Sequence, residues 1–458
     1  MSRRKAGQGS RRTPVRVGAG SGFAGDRIDP ALDLAQRGEL DYLIFECLGE
    51  RTVAAGHARR LRDATVGYDP MLEERLRAVL PACRKRGTTI ITNGGAANPE
   101  AAGELARGVA AELGLAGLRV AVVTGDDVLA EVHATDPLVW ETGQPVSAGD
   151  PLVSANAYLG ADAIVAALAQ DADLVITGRL ADPSLYVGPL RHEFGWAADD
   201  YDVLGRGTLA GHLLECAGQL TGGYFADPVT KPVPRLAWLG FPFADVTASG
   251  VATFGKLPGS GGRLDTRTCG EQLLYEVDDP AAYLTPDVEA DFSGVTFRQL
   301  GADRVLAEGA TGRPRPQQLK VTLGYQTGWI GEGQISYAGP RCLQRTELAA
   351  DVVRERLTAL HGIEPDKIDV EMIGAGAVFR GLAAASDPPE VRLRIAARVP
   401  TEECARMVGR EVEALYTNGP AGGGGARASV TTQLAVRSCL LPRALVTTRV
   451  DVREVTCG

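Results

Sequence analysis

The first half of the sequence alternates strand-like apolar runs with segments of helical periodicity, and this alternation constrains the fold more than any other feature. Because the apolar runs are continuous, as in strands buried on both faces, we predict a doubly wound, mostly parallel α/β sheet for residues 14–318. Within it, residues 228–318 are richer in Pro and Gly and are expected to form a less regular extension. The predicted strands are Val15–Ala19, Tyr42–Glu46, Thr88–Thr92, Arg119–Thr124 and Leu174–Thr177. The predicted helices are Pro30–Arg37, Pro70–Arg86, Pro99–Leu113 and Ala157–Gln170.

The last third of the sequence predicts a smaller α+β domain over residues 319–458. Its elements follow the order βαββαβ, which is typical of the ferredoxin-like fold. They are strand Lys320–Thr327, helix Arg341–Leu360, strands Ile368–Ile373 and Val391–Val399, helix Thr401–Leu415 and strand Leu445–Val452. The glycine-rich segment Asn418–Ser429 follows the second helix, and we interpret it either as a mobile lid or as a linker.

Charge and cysteine content narrow the functional class. The net charge of −9 disfavours a nucleic-acid partner, so the five Lys and Arg residues near the start are interpreted as a disordered basic tail, residues 1–13. The eight cysteines form no C-x-x-C pair, which favours reduced thiols that pack as small hydrophobes and disfavours a metal site. No apolar run is long enough to cross a membrane. We therefore predict a cytoplasmic protein with no membrane partner and no bound metal.

A glycine loop follows the first predicted strand. Gly20, Gly22 and Gly25 fit the dinucleotide fingerprint G-x-G-x-x-G, and Glu46 ends the next strand where a ribose-binding acid would lie. A nicotinamide-dependent oxidoreductase is therefore one alternative. However, the Asp29-Pro30 pair starts the helix only after the loop has ended, with Asp29 as its cap. In addition, a carboxylate at Asp26 would repel a diphosphate. We favour a loop that presents Asp26, with no separate cofactor.

Ligands in such folds bind beyond the carboxyl ends of the strands, where this chain carries three acids. We predict Asp26 and Glu50 as catalytic acid–base residues, because clustered carboxyls separate each other's pKa values. Glu46 is predicted to bind substrate, with pairing to a neighbouring Arg as its alternative role. The alternative for all three acids is helix capping or ordinary loop charge.

Other polar residues at strand ends are predicted to bind substrate. Asn93 and the amides of Gly94 and Gly95 fit an oxyanion site, or else a tight turn. Arg179 is placed to bind a carboxylate or phosphate, and Asp182 belongs to the same loop. The alternative for Arg179 and Asp182 is a purely structural ion pair.

His212, Glu215 and Cys216 share one face of a predicted helix. We predict His212 as a catalytic acid–base residue. A metal site built from the three side chains is the less favoured alternative, because no second half of a metal signature is present. A packed structural histidine is the third possibility.

Six motifs spread over nearly the whole chain are specific in combination. They are GSGFAGD (Gly20–Asp26), DYLIFECLGERT (Asp41–Thr52), TNGGAANP (Thr92–Pro99), NAYLGADAIVAALAQDADLVITGRLADPSL (Asn156–Leu185), GHLLECAGQLTGGYFADP (Gly211–Pro228) and EQLLYEVDDPAAYLTPDV (Glu271–Val288). Together they resemble the acyclic terpene utilisation AtuA family, so residues 14–318 are interpreted as an AtuA-like domain. Family members often have Leu-Ala-Glu at Leu48-Gly49-Glu50, a departure that leaves both acids in place.

The resemblance implies metabolism of acyclic terpenoids or branched acyl groups through CoA thioesters. We therefore expect an enzyme, a lyase of the hydro-lyase type or a hydrolase, acting on a carboxylate or an acyl-CoA, with CoA entering as part of the substrate. A non-catalytic scaffold or regulatory subunit remains an alternative. A homo-oligomer is also expected, since ferredoxin-like domains often pair through their sheets.

Overall fold

The computed structural model describes residues 14–378 and 388–456, so the predicted basic tail lies outside the described residues. The chain divides into two compact units. The first consists of Met1–Gly324 together with Val436–Gly458, and the second is Tyr325–Ala435. The boundary predicted between residues 318 and 319 stays a prediction.

The first half of the chain alternates strands and helices as predicted. Its strands are β1 (Val15–Gly22), β2 (Tyr42–Glu46), β3 (Thr89–Thr92), β4 (Arg119–Thr124), β5 (Leu152–Ala157) and β6 (Leu174–Thr177). Its helices are α1 (Asp29–Arg37), α2 (Glu50–Arg60), α3 (Leu72–Arg86), α4 (Pro99–Glu112), α5 (Leu129–Thr135), α6 (Asp162–Leu168), α7 (Ser184–Phe194) and α8 (Tyr201–Glu215). The predicted helix from Ala157 is wrong at its start, because residues 152–157 form β5 and the helix begins at Asp162.

The rest of the chain adds mostly strands. Residues 229–317 contain β7 (Pro242–Val246), β8 (Ala252–Lys256), α9 (Thr266–Leu274), β9 (Tyr283–Leu284), β10 (Glu289–Asp291), β11 (Thr296–Gly301), β12 (Arg304–Glu308) and β13 (Thr311–Arg313). The described part of the remaining chain contains β14 (Gln318–Ala338), α10 (Cys342–His361), β15 (Ile368–Ile373), β16 (Glu390–Val399), α11 (Glu402–Glu413), α12 (Leu415–Asn418), β17 (Gly424–Pro442) and β18 (Arg449–Glu454).

The large unit is built on a ten-stranded mixed sheet. Its order is β11-β12-β8-β7-β1-β2-β3-β6-β4-β18. The five strands from β1 to β4 in this order are parallel to their neighbours, which confirms a parallel sheet at the centre. Antiparallel strands extend it on both sides, because β7, β8, β12 and β11 follow one another on one side and β18 pairs with β4 on the other. The carboxyl ends of the parallel strands therefore meet at one edge.

The second unit contains a sheet of order β15-β16-β14-β17. β16 is antiparallel to both β14 and β15, and the apolar faces of α10 and α11 pack with this sheet in one core. The predicted strand Leu445–Val452 is wrong as a member of this sheet. The observed strand is Arg449–Glu454, and it pairs with β4, where Val450 and Val452 pack on the core of the large unit. β17, which includes the last residues of the glycine-rich segment, lies beside β14 instead.

Within the described residues, no helix combines the length and the apolar character that crossing a membrane requires.

One close approach fixes the carboxyl end of β1. A Cβ built on Gly22 would lie 2.4 Å from the carbonyl carbon of Cys216, directly after α8. Backbone atoms cannot move aside as the end of a flexible side chain can. The absence of a side chain at Gly22 therefore allows β1 and the end of α8 to touch.

We expect Gly22→Ala to destabilise the protein by about 1–3 kcal/mol, since it overpacks this contact. Gly108→Ala is the control, because a Cβ at Gly108, inside α4, meets nothing within 4 Å. The control should gain roughly 0.5–1 kcal/mol from its better helix propensity. Urea unfolding of both variants measures the difference, and equal stability of Gly22→Ala and the wild type would contradict the packing role.

Candidate functional site

The glycine loop after β1 folds around its own carboxylate. Asp26 accepts hydrogen bonds from the backbone N–H of Gly22 at 2.9 Å and of Arg27 at 2.8 Å. Burial raises the pKa of Asp26, although these two hydrogen bonds oppose the rise. The loop amide that would face a phosphate is thus occupied by a side chain of the loop itself. Asp29, expected to cap α1, is instead its first residue.

A buried arginine from α3 holds the same loop. Arg75 donates from Nη2 to the carbonyl oxygen of Ala24 at 2.6 Å, and it forms an ion pair with Asp69 that is almost inaccessible to solvent. It also donates to Cys47 Sγ at 3.0 Å. Burial raises the pKa of Cys47 to about 12, so this thiol is not an activated nucleophile.

Glu46 is the last residue of β2 and is 7% exposed. Its Oε1 accepts hydrogen bonds from the Leu48 amide at 2.6 Å and from Asn93 Nδ2 at 3.0 Å. Burial, assisted by the charge of Asp182, raises the pKa of Glu46 to about 8. The raised pKa of Glu46 therefore favours the protonated carboxylic acid at neutral pH.

Asn93 connects the ends of β2 and β3. Its Oδ1 accepts from the Cys47 amide at 2.7 Å while its Nδ2 binds Glu46. The two glycines after it have structural roles. The Gly94 amide donates a hydrogen bond to Thr92 Oγ1 at 2.9 Å. Gly95 packs closely, because a Cβ there would lie 2.5 Å from the Thr177 carbonyl oxygen. The Gly94 amide is therefore already engaged and is not available to an oxyanion in this conformation.

Arg179 lies directly beyond β6 and is only 2% exposed. Its guanidinium lies over the Tyr158 ring at 4.0 Å, and its Nη2 donates to Asp182 Oδ2 at 3.3 Å. Burial alone would lower its pKa, but the charge of Asp182 and other nearby acidic groups raises it. Its buried Nε and Nη1 have no hydrogen-bond partner among the described residues. Buried polar groups in proteins are nearly always hydrogen-bonded, so these two unsatisfied donors of Arg179 are candidates to bind a ligand.

A second set of buried polar residues fixes the backbone of Arg179. Asp126, after β4, accepts from the Arg179 amide at 2.8 Å and from Asn156 Nδ2 at 2.9 Å. Asn156 Oδ1 in turn lies 2.8 Å from His57 Nε2. Burial raises the pKa of Asp126 to about 6. The sequence signal that could have identified Asp126 is its position directly after a strand end.

Glu50 is the first residue of α2 and lies in a different environment from Glu46. It accepts a hydrogen bond from the Tyr158 hydroxyl and another from Lys320 Nζ at 3.0 Å. Burial opposes its ionisation, but these partners and the charge of Arg179 lower the pKa of Glu50 to about 2. Glu50 is therefore held as a carboxylate. Tyr158 and Lys320 were not predicted as site residues.

His212 is buried in α8, and both of its ring nitrogens are hydrogen-bonded. Nδ1 lies 2.9 Å from Glu215 Oε1, and Nε2 lies 3.1 Å from the Leu273 carbonyl oxygen. The ring also packs on Tyr283 and Phe292. Neither nitrogen is thus free for a metal, and in the described part of the chain no group of three or more His, Cys, Asp and Glu side chains is arranged to hold one.

The predicted residues therefore fall into three groups. Glu46, Asn93, Arg179 and Asp182 interact at the ends of β2, β3 and β6, and Glu50 acts electrostatically on Arg179. Asp26 is bound to its own loop, and His212 is bonded to Glu215.

Backbone strain lies beside these groups. Ala96, Ala217 and Glu276 have positive φ values of 46°, 41° and 59°, although none is a glycine. Ala96 lies three residues after Asn93, Ala217 lies two residues after Glu215, and the charge of Glu276 acts on Asp182. Such strain is often found at functional sites.

The fold and this edge define an α/β protein with buried acids around an arginine at the carboxyl ends of parallel strands. The model of the acyclic terpene utilisation family protein AtuA matches residues 15–452, nearly the whole chain. The chain belongs to this family. Searches of curated proteins and of solved structures gave no significant match.

The opposite pKa shifts of the two glutamates predict opposite pH dependences of stability. Glu46 titrates near 8 when folded against an ordinary 4.5, so its contribution is full below pH 4.5 and is lost as the pH rises through 8. Glu46→Gln mimics the protonated form. We expect its unfolding free energy to rise relative to the wild type between pH 5 and 8, by at most about 1.4 kcal/mol per pH unit.

Glu50 titrates near 2, so its contribution is present above pH 4.5 and is lost as the pH falls through 2. Glu50→Gln should be destabilised at pH 7, with a deficit that shrinks in acid. Glu112→Gln, at an exposed ion pair, is the control and should follow the wild type. Chemical denaturation across pH 3–9 measures all three, and parallel curves for Glu46→Gln and the wild type would contradict the buried-acid assignment.

Proposed function

We propose that this protein is an acid–base enzyme of the lyase type that acts on a carboxylate or CoA thioester of a branched acyl group. One observation carries the proposal. Two nitrogens of the buried Arg179, Nε and Nη1, have no hydrogen-bond partner among the described residues, and the charge of Arg179 acts on Glu46, an acid whose raised pKa favours the protonated form at neutral pH. Anion recognition and proton transfer are thus available at one place.

Arg179 is proposed to bind the oxygen on which negative charge develops. Its Nε and Nη1 are free donors of one planar cationic group, and either can donate to a carboxylate or an enolate oxygen. Its position is supported by the Asp126 carboxylate on its backbone amide and by the Tyr158 ring beneath its guanidinium. Asp182, its ion-pair partner, is 31% exposed, which brings the ion pair into reach of solvent and solutes.

Glu46 and Asp182 are proposed to exchange the protons. Glu46 holds one at neutral pH. Asp182 Oδ1 is buried and lies 3.2 Å from Arg179 Nη2 in the ion pair, but it accepts no hydrogen bond from the described residues, and we assign it to receive a proton. Glu50 was expected to share this work, but its low pKa makes it a weak base, and we assign it to balance the charge of Lys320 and Arg179.

Addition of water to an α,β-unsaturated thioester shows how these groups would transfer protons during the reaction. Asp182 takes a proton from water as the hydroxyl oxygen bonds to the β-carbon, and the double-bond electrons move to the thioester oxygen beside Arg179. The enolate then collapses, and its α-carbon takes the proton of Glu46. The product is a 3-hydroxyacyl thioester, and one proton must pass from Asp182 to Glu46 before the next turnover. Dehydration is the same path reversed.

The family supports the substrate class, since its name refers to the utilisation of acyclic terpenes, which are branched hydrocarbon chains. For the second unit we propose a ferredoxin-like fold. Its support is the order strand, helix, strand, strand, helix, strand, with β17 as the last strand and β14 and β16 at the centre of the sheet.

The nicotinamide alternative is less well supported. The loop amide of Gly22 already binds the carboxylate of Asp26, so a diphosphate would have to displace a side chain of like charge. Titration of the protein with NADH, followed by fluorescence, separates the two proposals without any knowledge of the substrate.

The proposal predicts the effect of two conservative variants on turnover. Glu46→Gln replaces the carboxylic acid by an amide of similar shape that has no acidic proton to donate. The kcat should therefore fall about 10²–10⁴-fold with little change in KM. Arg179→Lys keeps the charge but loses the fixed donors of the planar guanidinium, so kcat/KM should fall by at least about tenfold. The assay follows the absorbance of the conjugated thioester in 3-methyl-branched 2-enoyl-CoA substrates.

Glu112→Gln, remote from this edge, serves as the matched control and should retain wild-type rates. Circular dichroism of each variant shows whether it folds. Full turnover by Glu46→Gln on any accepted substrate would contradict the assignment of Glu46 as the acid.

A further inference from the structure

The contact between His212 and Glu215 can be a hydrogen bond only if the pair carries one more proton than a neutral histidine beside a carboxylate. The Leu273 carbonyl oxygen can only accept, so His212 Nε2, at 3.1 Å, must carry a hydrogen. In a neutral ring Nδ1 would then be an acceptor, and it faces Glu215 Oε1 at 2.9 Å. Two acceptors cannot bond to each other. One proton must therefore lie between them, on the carboxyl or on the ring.

The environment makes this proton transferable. Burial opposes charge on either partner, yet the contact with Glu215 raises the pKa of His212. Burial also raises the pKa of Glu215 to about 7. The pair is therefore close to the point at which it gains or loses the shared proton under neutral conditions.

Glu215 retains an unused oxygen. Its Oε1 is bonded to His212, but its buried Oε2 has no hydrogen-bond partner among the described residues. The side chain as a whole is 12% exposed. An oxygen of this kind can pass a proton to a ligand or a water without breaking the bond to His212.

The charged and titratable groups around the pair connect it to the proposed site. Glu215 and Glu46 both act on the buried phenol of Tyr186, as do Asp182 and Cys216. Asp182 and Glu276 act on Glu215 directly. The groups around the pair are therefore Tyr186 from α7, Cys216 after α8, Glu276 after α9, Tyr283 from β9 and Asp182 after β6. Glu46 acts on two of them, Tyr186 and Cys216.

We propose that His212 and Glu215 form a proton-sharing pair that returns the proton between Asp182 and Glu46 after each turnover, with Glu215 Oε2 as the exchanging atom. This inference rests on the proposed function, which leaves a proton on Asp182 and removes one from Glu46. Asp182 gives its proton to Glu215 Oε2 while the shared proton stays between His212 Nδ1 and Glu215 Oε1. Oε2 then gives a proton to Glu46, which returns the pair to its starting state. His212 is a positioning residue here, because it acts only through Glu215.

The first test needs no substrate. Imidazole ¹⁵N NMR of the wild type should show His212 Nδ1 changing between pH 5 and 9. In Glu215→Gln, whose amide can donate to Nδ1, the ring should stay neutral over the whole range. Asp182→Asn removes a neighbouring negative charge and should move the midpoint down by about half a pH unit or more. The exposed His133 is the internal control.

A pH-independent His212 in the wild type would overturn the proton-sharing pair. An unchanged midpoint in Asp182→Asn would overturn its connection to the site. The kinetic test uses the 2-enoyl-CoA assay: Glu215→Gln should lower kcat at least about tenfold, leave KM within twofold and remove one limb of the pH profile. Wild-type kinetics in this variant would overturn the inference while the proposed function stands. If the wild type turns over no thioester but the NMR result holds, the reaction class fails and the pair remains.

Discussion

The buried guanidinium of Arg179 is the interaction on which the edge of the large unit depends. Removing a cation from water costs several kcal/mol unless it is paired. Asp182 provides the direct ion pair and the Tyr158 ring covers one face. However, more carboxyl groups surround Arg179 than its single charge can stabilise. Some of these carboxyl groups must therefore be protonated. The pKa values of Glu46 and Asp182 are raised because both groups are buried near other acidic groups. The capacity to store protons thus follows from how charge is buried.

Glu46 and Glu50 show that environment, not residue type, separates acid from carboxylate. They are four residues apart in the chain. Glu46 ends a strand that is buried along its whole length and receives hydrogen bonds from neutral groups. Glu50 begins a helix, where the helix dipole favours negative charge, and it faces Lys320. Such opposite environments are how one site keeps an acid and an anion at the same pH.

The sequence could predict the strand ends but not the roles of the residues on them. Continuous apolar runs identify strands buried on both faces, so β2, β4 and β6 were predicted with their observed bounds. The state of Glu50, in contrast, depends on Tyr158 and Lys320, which lie 108 and 270 residues further along the chain. The same limit explains the error with β18. A local pattern predicts a strand, but its partner, here β4, is decided by contacts that no local pattern contains.

The glycine loop shows that one sequence pattern can have two different structural roles. In a dinucleotide site, glycines leave backbone amides open to a phosphate. In this chain the Gly22 amide is bonded to Asp26, and the missing side chain of Gly22 admits the backbone of Cys216. That contact holds the end of β1 against the end of α8, the helix that carries His212 and Glu215. Because Gly22 is also the register partner of Glu46, the loop ties both proton-holding groups to one strand end. A larger residue at Gly22 would therefore change the distance between Glu46 and the His212–Glu215 pair as well as the packing. A phosphate-binding loop has no such constraint.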